Sequence, residues 1–274
     1  MTKLDVALVQ MRSGTDPLTN IDDAARLIEQ AVRGGAKLVV TPECTNIVER
    51  EATKLFGKLY APGEDPAVLG FADIARTHGI WLLAGSFAQK IAEDRAVNRS
   101  HLFAPDGTLA ATYDKIHMFD VGLGGGETYS ESTNYKPGDK AVLAEAAGVK
   151  LGLTICYDVR FAYLYRKLAQ AGAQLIAVPS AFTRPTGRAH WEVLLRARAI
   201  ETGSYILAAA QGGHHDDGRN TWGHSMIVDP WGKIVAELDH DEPGVLNAEL
   251  DLDAVIDART RIPALKHDRE VTGP

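Results

Sequence analysis

Cys156 directly follows the apolar run Lys150-Leu151-Gly152-Leu153-Thr154-Ile155 and precedes Tyr157-Asp158-Val159-Arg160, where a helix begins. A thiol at a strand-to-helix turn is exposed at the strand end, where neighbouring backbone N–H groups can hold an oxyanion. A helix N-terminus also favours the thiolate. Cys156 is therefore a candidate nucleophile, against the plainer alternative of a buried core cysteine, the commoner fate of a free thiol. Lys115 ends a second strand-like run, Leu109 to Tyr113. Its ammonium would stabilise an oxyanion and lower a thiol pKa; taken alone it reads as a surface lysine. Glu43 follows the buried-strand pattern Lys37 to Thr41 (KLVVT) through Pro42. A carboxylate whose pKa is raised by burial can take a proton from a thiol, although singly it reads as a capping or solvated acid. The three gain weight together, because each follows an apolar strand and one sheet edge can bring them into contact.

The elements that must position them alternate along almost the whole chain. Leu4 to Met11 reads as a strand, and Asn20 can cap a helix whose apolar residues Ile21, Ala24, Ala25, Ile28, Ala31 and Val32 recur at helical spacing up to Gly34-Gly35. A helix from about Pro66 to His78 precedes the strand Ile80 to Phe87, and two more strands flank the turn Ala104-Pro105-Asp106-Gly107. The Gly-, Ser- and Thr-rich stretch Gly122 to Gly138 has no clear periodicity and reads as a functional loop. Val149 to Ile155, Gln174 to Val178 and Tyr205 to Ala210 then read as strands, and Phe161 to Ala171 and His190 to Glu201 as helices. Ser225 to Val228 and Lys233 to Leu238 form a hairpin around Asp229-Pro230-Trp231-Gly232. The pattern predicts one α/β domain with mixed sheets, over residues 1–265, followed by a polar tail, 266–274.

The 274 residues are 45% apolar and 24% charged, the proportions of a globular chain. A net charge of −7 argues against nucleic acid as a partner. No apolar run is long enough for a membrane span, and the N-terminus lacks the pattern of a secretory signal. Two cysteines, Cys44 and Cys156, are too few for a disulfide scaffold and point to reduced thiols in the cytoplasm. Other signals are weak. Gly122-x-Gly124-x-x-Glu127 lacks the third glycine of a dinucleotide fingerprint, and Gly223-His224-Ser225-Met226-Ile227 lacks the last glycine of a nucleophile elbow. His214, His215, Asp216 and Asp217, set among glycines, read as a solvated loop rather than a metal site, and Cys44 as a packing residue behind Glu43.

Taken in order, Pro42-Glu43, Tyr113-Asp114-Lys115-Ile116-His117 and Ile155-Cys156-Tyr157-Asp158-Val159-Arg160-Phe161 resemble the nitrilase, or carbon–nitrogen hydrolase, superfamily. Pro179-Ser180-Ala181-Phe182, Gly187 to Glu192, Arg196 to Glu201, Gly223-His224-Ser225 and Asp229 to Gly232 support the likeness, which covers about residues 3 to 265. The resemblance implies an αββα sandwich and a catalytic Glu43, Lys115 and Cys156. It also implies a second glutamate, placed at Glu131 because Glu131-Ser132 ahead of Lys136-Pro137-Gly138-Asp139 fits the amidase-like pattern, with Glu127 as the competitor. In that chemistry Glu43 takes the thiol proton and Cys156 attacks an amide carbonyl. Lys115 and the Tyr157 N–H hold the oxyanion, Glu131 orients the amide nitrogen and Lys115, and ammonia leaves a thioester that Glu43-activated water hydrolyses. No metal or organic cofactor is required.

Within the superfamily, Pro179 to Phe182, His190 to Glu201 and Ala208-Ala209-Ala210-Gln211 resemble the branch of deaminated glutathione amidases and ω-amidases, which act on small carboxylate-bearing amides. Such a substrate needs a cationic anchor, for which Arg160 is the candidate; its alternative is an ion pair with Asp158 or another acid. Phe182 and Thr186, read on the loop after Pro179, are candidates to line the pocket. The chain departs from the branch at Ala162, where a proline often stands, and in the glycines of 122–126. The competing readings are a nitrilase or N-carbamoyl amino acid amidohydrolase, and a non-catalytic interaction protein that keeps the fold. The resemblance further implies a homodimer or higher homo-oligomer.

Overall fold

The computed structural model describes residues 2–61, 63–124 and 127–273. The first half of the chain builds β1 (Lys3–Gln10), α1 (Pro17–Arg33), β2 (Leu38–Val40), α2 (Ala52–Lys58), α3 (Pro66–His78), β3 (Trp81–Ala92), β4 (Arg95–Phe103) and β5 (Leu109–Asp114). A short ribbon of β6 (Asp120–Gly124) and β7 (Glu127–Ser130) follows. The second half builds β8 (Val142–Ala146), β9 (Val149–Leu153), α4 (Ala162–Gln170), β10 (Leu175–Ala177), α5 (Arg184–Thr202) and β11 (Tyr205–Ala208). It closes with the ribbon β12 (Gly212–His214) and β13 (Asn220–Trp222), then β14 (Met226–Val228), β15 (Ile234–Glu237), β16 (Gly244–Asp251) and α6 (Asp253–Arg261).

Two six-stranded sheets result, ordered β16-β1-β2-β3-β4-β5 and β15-β14-β11-β10-β9-β8. In each, central parallel pairs (β1–β2–β3 and β9–β10–β11) are flanked by antiparallel neighbours. Period-two alternation divides β1 between two cores. Ala7 and Val9 join Ala24, Ile28 and Ala31 of α1 and Phe71 and Ala75 of α3. Val6 and Leu8 join Leu151, Leu153 and Leu175 of the second sheet, in a cluster that continues to Leu164 and Leu168 of α4 and Leu195 of α5. Helices outside, sheets face to face inside: this is the expected αββα sandwich, in a single domain of mixed sheets.

Local readings are corrected in several places. Asn20 does not cap α1. Asp16 does, accepting from the Thr19 N–H at 3.0 Å, with Pro17 opening the helix. Asn20 is buried one turn inside and ties Gly14 to the Asn46 carbonyl. The helix read from His190 starts six residues earlier at Arg184, because Thr183 is its cap and Pro185 fits the first turn. Thr186 therefore lies in a helix, not a loop. The segment 122–138 is not structureless, since it carries β7 and part of β6, and Glu131–Thr133 forms a 3₁₀ turn; Gly125 and Gly126 of its glycine run lie outside the described residues. Strands β8 and β16, with their mixed polarity, carry no clean sequence signal, yet each extends a sheet edge.

Candidate active site

Glu43 stands in the turn after β2, 4% exposed. That turn is bolted to a bulge in β3, where the pairing with β4 shifts register between Ala84 and Phe87. Ser86 supplies the fixings: its hydroxyl accepts from the Cys44 N–H, its own N–H donates to the Pro42 carbonyl, and its carbonyl accepts from Thr45. A Cβ on Gly85 would lie 1.9 Å from the Thr41 carbonyl oxygen, so only glycine lets the two strands approach this closely. From the opposite sheet, Gln211 donates to the Glu43 carbonyl at 3.0 Å and to the Ser13 hydroxyl.

Lys115 enters from the end of β5 and is 2% exposed. Its Nζ donates to Glu43 Oε1 at 2.8 Å and to Glu131 Oε1 and Oε2 at 3.0 and 2.8 Å. Burial opposes its charge, but the carboxylates of Glu131 and Glu43 outweigh burial and hold the ammonium well above its ordinary pKa. Glu131 is fixed in turn by the Phe119 N–H, at 2.7 Å. Glu127 is exposed and accepts instead from the Tyr129 hydroxyl, so of the two glutamates it is Glu131 that reaches Lys115.

Cys156 opens a 3₁₀ turn, Cys156–Arg160, with φ of +48°. A non-glycine residue in this left-handed region is strained, and such strain collects where a side chain must be aimed. The Cys156 amide donates to the Pro179 carbonyl at 2.8 Å, and the thiol lies within electrostatic reach of both Glu43 and Lys115. Burial, then the Glu43 charge, push the thiol well above its usual pKa, against the pull of Lys115. A thiolate favoured by a helix N-terminus is therefore not the resting form: the proton sits on sulfur, facing a carboxylate. Asp158, fully buried, stabilises the turn from beneath. Its carboxylate accepts from the Ile155 N–H at 2.8 Å, the Tyr113 hydroxyl at 2.7 Å and the His117 N–H at 3.1 Å. The nucleophile turn and the Lys115 loop are thus tied to one buried acid.

Asn98 of β4 escaped the sequence reading. Its Nδ2 donates to Glu43 Oε1 at 2.9 Å and Glu131 Oε1 at 3.1 Å, so one side-chain amide and one ammonium bridge the same two carboxylates. The only clue was its place in a strand beside the one carrying Lys115, visible once β4 pairs with β5. The Ala181 N–H, donating to Glu43 Oε2 at 2.9 Å, was equally hidden, since a backbone donor has no sequence signature.

These groups line a cavity of about 820 Å³. Arg160, Tyr157 and Phe182 form one part of its wall, with the Arg160 guanidinium over both rings at 5.7 and 5.5 Å. Asp158 is committed elsewhere, and among the described residues Arg160 has no carboxylate partner; it meets His190 Nδ1 at 3.3 Å. Phe182 packs against Trp191, ring centroids 4.8 Å apart and tilted at 55°. Thr186 borders the cavity, but it is buried and its hydroxyl is paired with Thr183 at 2.9 Å, which makes it part of the wall's frame. Cys44 is not behind Glu43: it is half-buried in the cavity wall, and burial pushes its thiol up to about 12. The residues 214–217 diverge, and only in part as a solvated loop. His214 is exposed and meets Asn220, whereas buried His215 lies between the Ser13 carbonyl and the Thr221 hydroxyl, and Asp217 binds Arg219. Among the described residues no three His, Cys, Asp or Glu side chains converge on a metal position.

The family model of the carbon–nitrogen hydrolases matches residues 5–260. The deaminated glutathione amidase of Yersinia enterocolitica is 39% identical over 99% of this chain and 95% of its own. The omega-amidase NIT2 of Danio rerio is 37% identical over 98% of this chain and 96% of its own. Among solved structures, the NitFhit protein of C. elegans superposes with a TM-score of 0.91 at 37% identity, covering 97% of this chain; this chain spans 65% of that longer one.

Proposed function

The chain belongs to the carbon–nitrogen hydrolase family, and from that premise we propose that it is an amidase acting on small carboxylate-bearing amides of the deaminated glutathione or α-ketoglutaramate type. The observation that carries the reading is the set of contacts joining Lys115 to Glu43 and Glu131, with the Cys156 thiol on the same cavity and within electrostatic reach of Glu43 and Lys115. Relatives named deaminated glutathione amidase and omega-amidase support the substrate class.

In the proposed reaction, Glu43 takes the Cys156 proton as sulfur attacks the amide carbonyl, so the buried thiol ionises only as the C–S bond forms. Lys115 and the Tyr157 N–H hold the tetrahedral oxyanion in a site shielded from water, where such donors are most effective. Collapse expels the nitrogen, which takes the proton from Glu43, and leaves a thioester. Glu131 orients that nitrogen and keeps Lys115 in place. Water, deprotonated by Glu43, then hydrolyses the thioester and restores the thiol. From a primary amide the leaving group is ammonia; from deaminated glutathione, whose amide nitrogen belongs to a cysteinylglycine, it is that dipeptide. Arg160 anchors the carboxylate of the acyl portion, Phe182 packs against its carbon chain, and Thr186 shapes the wall beneath.

Residues 1–265 form the catalytic unit, with 266–274 as its tail. Both thiols are free, which suits a reducing cytoplasm. No helix among the described residues is long and apolar enough to cross a membrane. A homodimer formed through the outer helices is supported by Tyr163 of α4 and Val193 and Ile200 of α5, each more than half exposed. Sedimentation equilibrium of the purified chain reads its mass directly.

The deciding assay follows product release from α-ketoglutaramate and deaminated glutathione, alongside nitriles and N-carbamoyl amino acids, with Cys156→Ala as control. Turnover of the two amides by the intact protein, lost in the variant, is the expected result, with an acyl adduct on Cys156 in quenched samples. Equal, background-level release by both proteins on every substrate would falsify the enzyme reading, and turnover of the nitriles or carbamoyl compounds alone would move it to a sister activity.

A further inference from the structure

The cavity is large for a primary amide. A keto-acid monoamide of about ten non-hydrogen atoms, at the roughly 30 Å³ that a water molecule occupies, fills about a third of it, and cavities of about 300–1,000 Å³ ordinarily hold drug-sized ligands. A second guanidinium borders the same cavity. Arg219, in the turn between β12 and β13, lines the cavity with its side chain 22% exposed. Its Nε donates to Asp217 at 2.8 Å, which fixes the plane of the group. Among the described residues Nη1 and Nη2 have no hydrogen-bond partner, and neither is fully buried. Arg219 sits within electrostatic reach of Cys44 and Tyr135, a set of neighbours different from the Tyr157 and Phe182 that carry Arg160. Arg50 stands beside it, its Nη2 3.5 Å from where a Cβ on Gly218 would lie. Asp217 is the one carboxylate paired with Arg219, through its backbone and Nε; the other acids of this region are engaged elsewhere, Glu49 on Lys58 and the Glu51 N–H and Glu127 on the Tyr129 hydroxyl, so that two guanidiniums here share one acid.

We propose that Arg219, flanked by Arg50, is the subsite for a carboxylate on the leaving-group side of the scissile bond, so that the preferred substrates are amides whose nitrogen carries a short peptide ending in a free carboxylate. A planar guanidinium whose terminal Nη1/Nη2 edge is free has the geometry that binds a carboxylate in bidentate fashion. The assignment rests on the amidase reading above: with Arg160 taken by the acyl carboxylate, the second fork meets a second anion.

The test compares deaminated glutathione with the same molecule carrying a C-terminal carboxamide, and includes α-ketoglutaramate as a substrate without a peptide. The proteins are the intact chain, Asp217→Asn/Arg219→Gln, which removes the pair together so that no buried acid is orphaned, and Arg219→Lys, which keeps the charge and loses the fork. The intact chain is expected to prefer the free carboxylate by about tenfold or more in kcat/KM, mostly through KM. That preference shrinks to within about twofold in the double variant and is intermediate in the lysine variant. Blocking the carboxylate and removing the fork then fail to add, as two halves of one contact must. No preference in the intact chain, or an undiminished preference in the variants, overturns the subsite while leaving turnover, and so the amidase reading, intact. Absence of turnover on all three amides by the intact chain removes the amidase reading and the subsite with it. Should the double variant not fold, Arg219→Lys decides alone: an unchanged preference refutes the subsite.

Discussion

At the scale of single residues, the site depends on how many groups share one proton economy. Asn98 donates to both glutamates around Lys115, and hydrogen bonds to charged groups contribute roughly 1.5–3 kcal/mol each. Asn98→Asp puts a third carboxylate beside one ammonium and removes two donors. We expect kcat to fall about ten- to a hundredfold, from the factor of ten per 1.4 kcal/mol, with a displaced acid limb of the pH–rate profile. Asn98→Gln, with the donor restored at longer reach, should recover part of the loss; equal activity in all three proteins would refute the bridging role. The strain at Cys156 predicts a second outcome. Since φ is +48° there, Cys156→Gly should be more stable than Cys156→Ala by about 1 kcal/mol, because only glycine adopts the left-handed region without steric conflict. Urea unfolding of the two inactive variants measures it, and a more stable alanine variant would contradict the account.

At the scale of elements, the bulge in β3 decides where Glu43 stands. A Cβ added at Gly85 would meet the Thr41 and Pro42 carbonyl oxygens and the Pro179 side chain at 1.9, 2.5 and 2.6 Å. Backbone cannot yield as a flexible side chain does, and overpacking of this kind costs about 1–3 kcal/mol. Gly85→Ala is therefore expected to lose that much stability and most of its activity together, since the turn holding Glu43 must move away from Cys156. Gly57→Ala, in open space on α2, is the matched control and should retain both. The cap of α5 bears on the cavity as well. Thr183→Ala should cost about 1 kcal/mol and loosen the wall that Thr186 frames, read as a lower denaturation midpoint with a raised KM.

At the scale of the whole molecule, acid stability reports on the layer between the first sheet and its helices. His101 of β4 lies between Phe87 and Phe103, stacked on the latter, 2% exposed and with Nδ1 unpartnered. Burial, reinforced by the charge of Arg99, lowers its pKa to about 4. The unfolded chain therefore binds a proton that the folded one refuses between about pH 6.5 and 4. Stability from this group is complete above the unfolded value and is lost as pH falls through that window, by an amount on the order of 3 kcal/mol. Replacing His101 with Phe should flatten that part of the urea-stability profile; a wild-type profile level between pH 6.5 and 4 would contradict the buried neutral imidazole.

The legible part of this protein was local. Strands β2, β10 and β11 are wholly buried apolar runs, and β1 and β9 are nearly so, because central parallel strands are buried on both faces. The residues that end β2 and β5 and follow β9 announced themselves by type and position. The edge strands β8 and β16 were not legible, since most of their residues are only partly buried or exposed and neither shows a continuous apolar run or strict alternation. Nor was Asn98, an ordinary strand residue until its neighbour in the sheet is known. By itself the sequence determined the alternation of elements, the ordered motifs and thus the family, because periodicity and residue type are properties of the chain. Only the tertiary structure decided that Glu131 rather than Glu127 meets Lys115, that Arg160 is free of Asp158, and that Arg219 lines the same cavity as the candidate nucleophile. Each of those depends on distances between segments far apart in the chain, set when two sheets pack face to face.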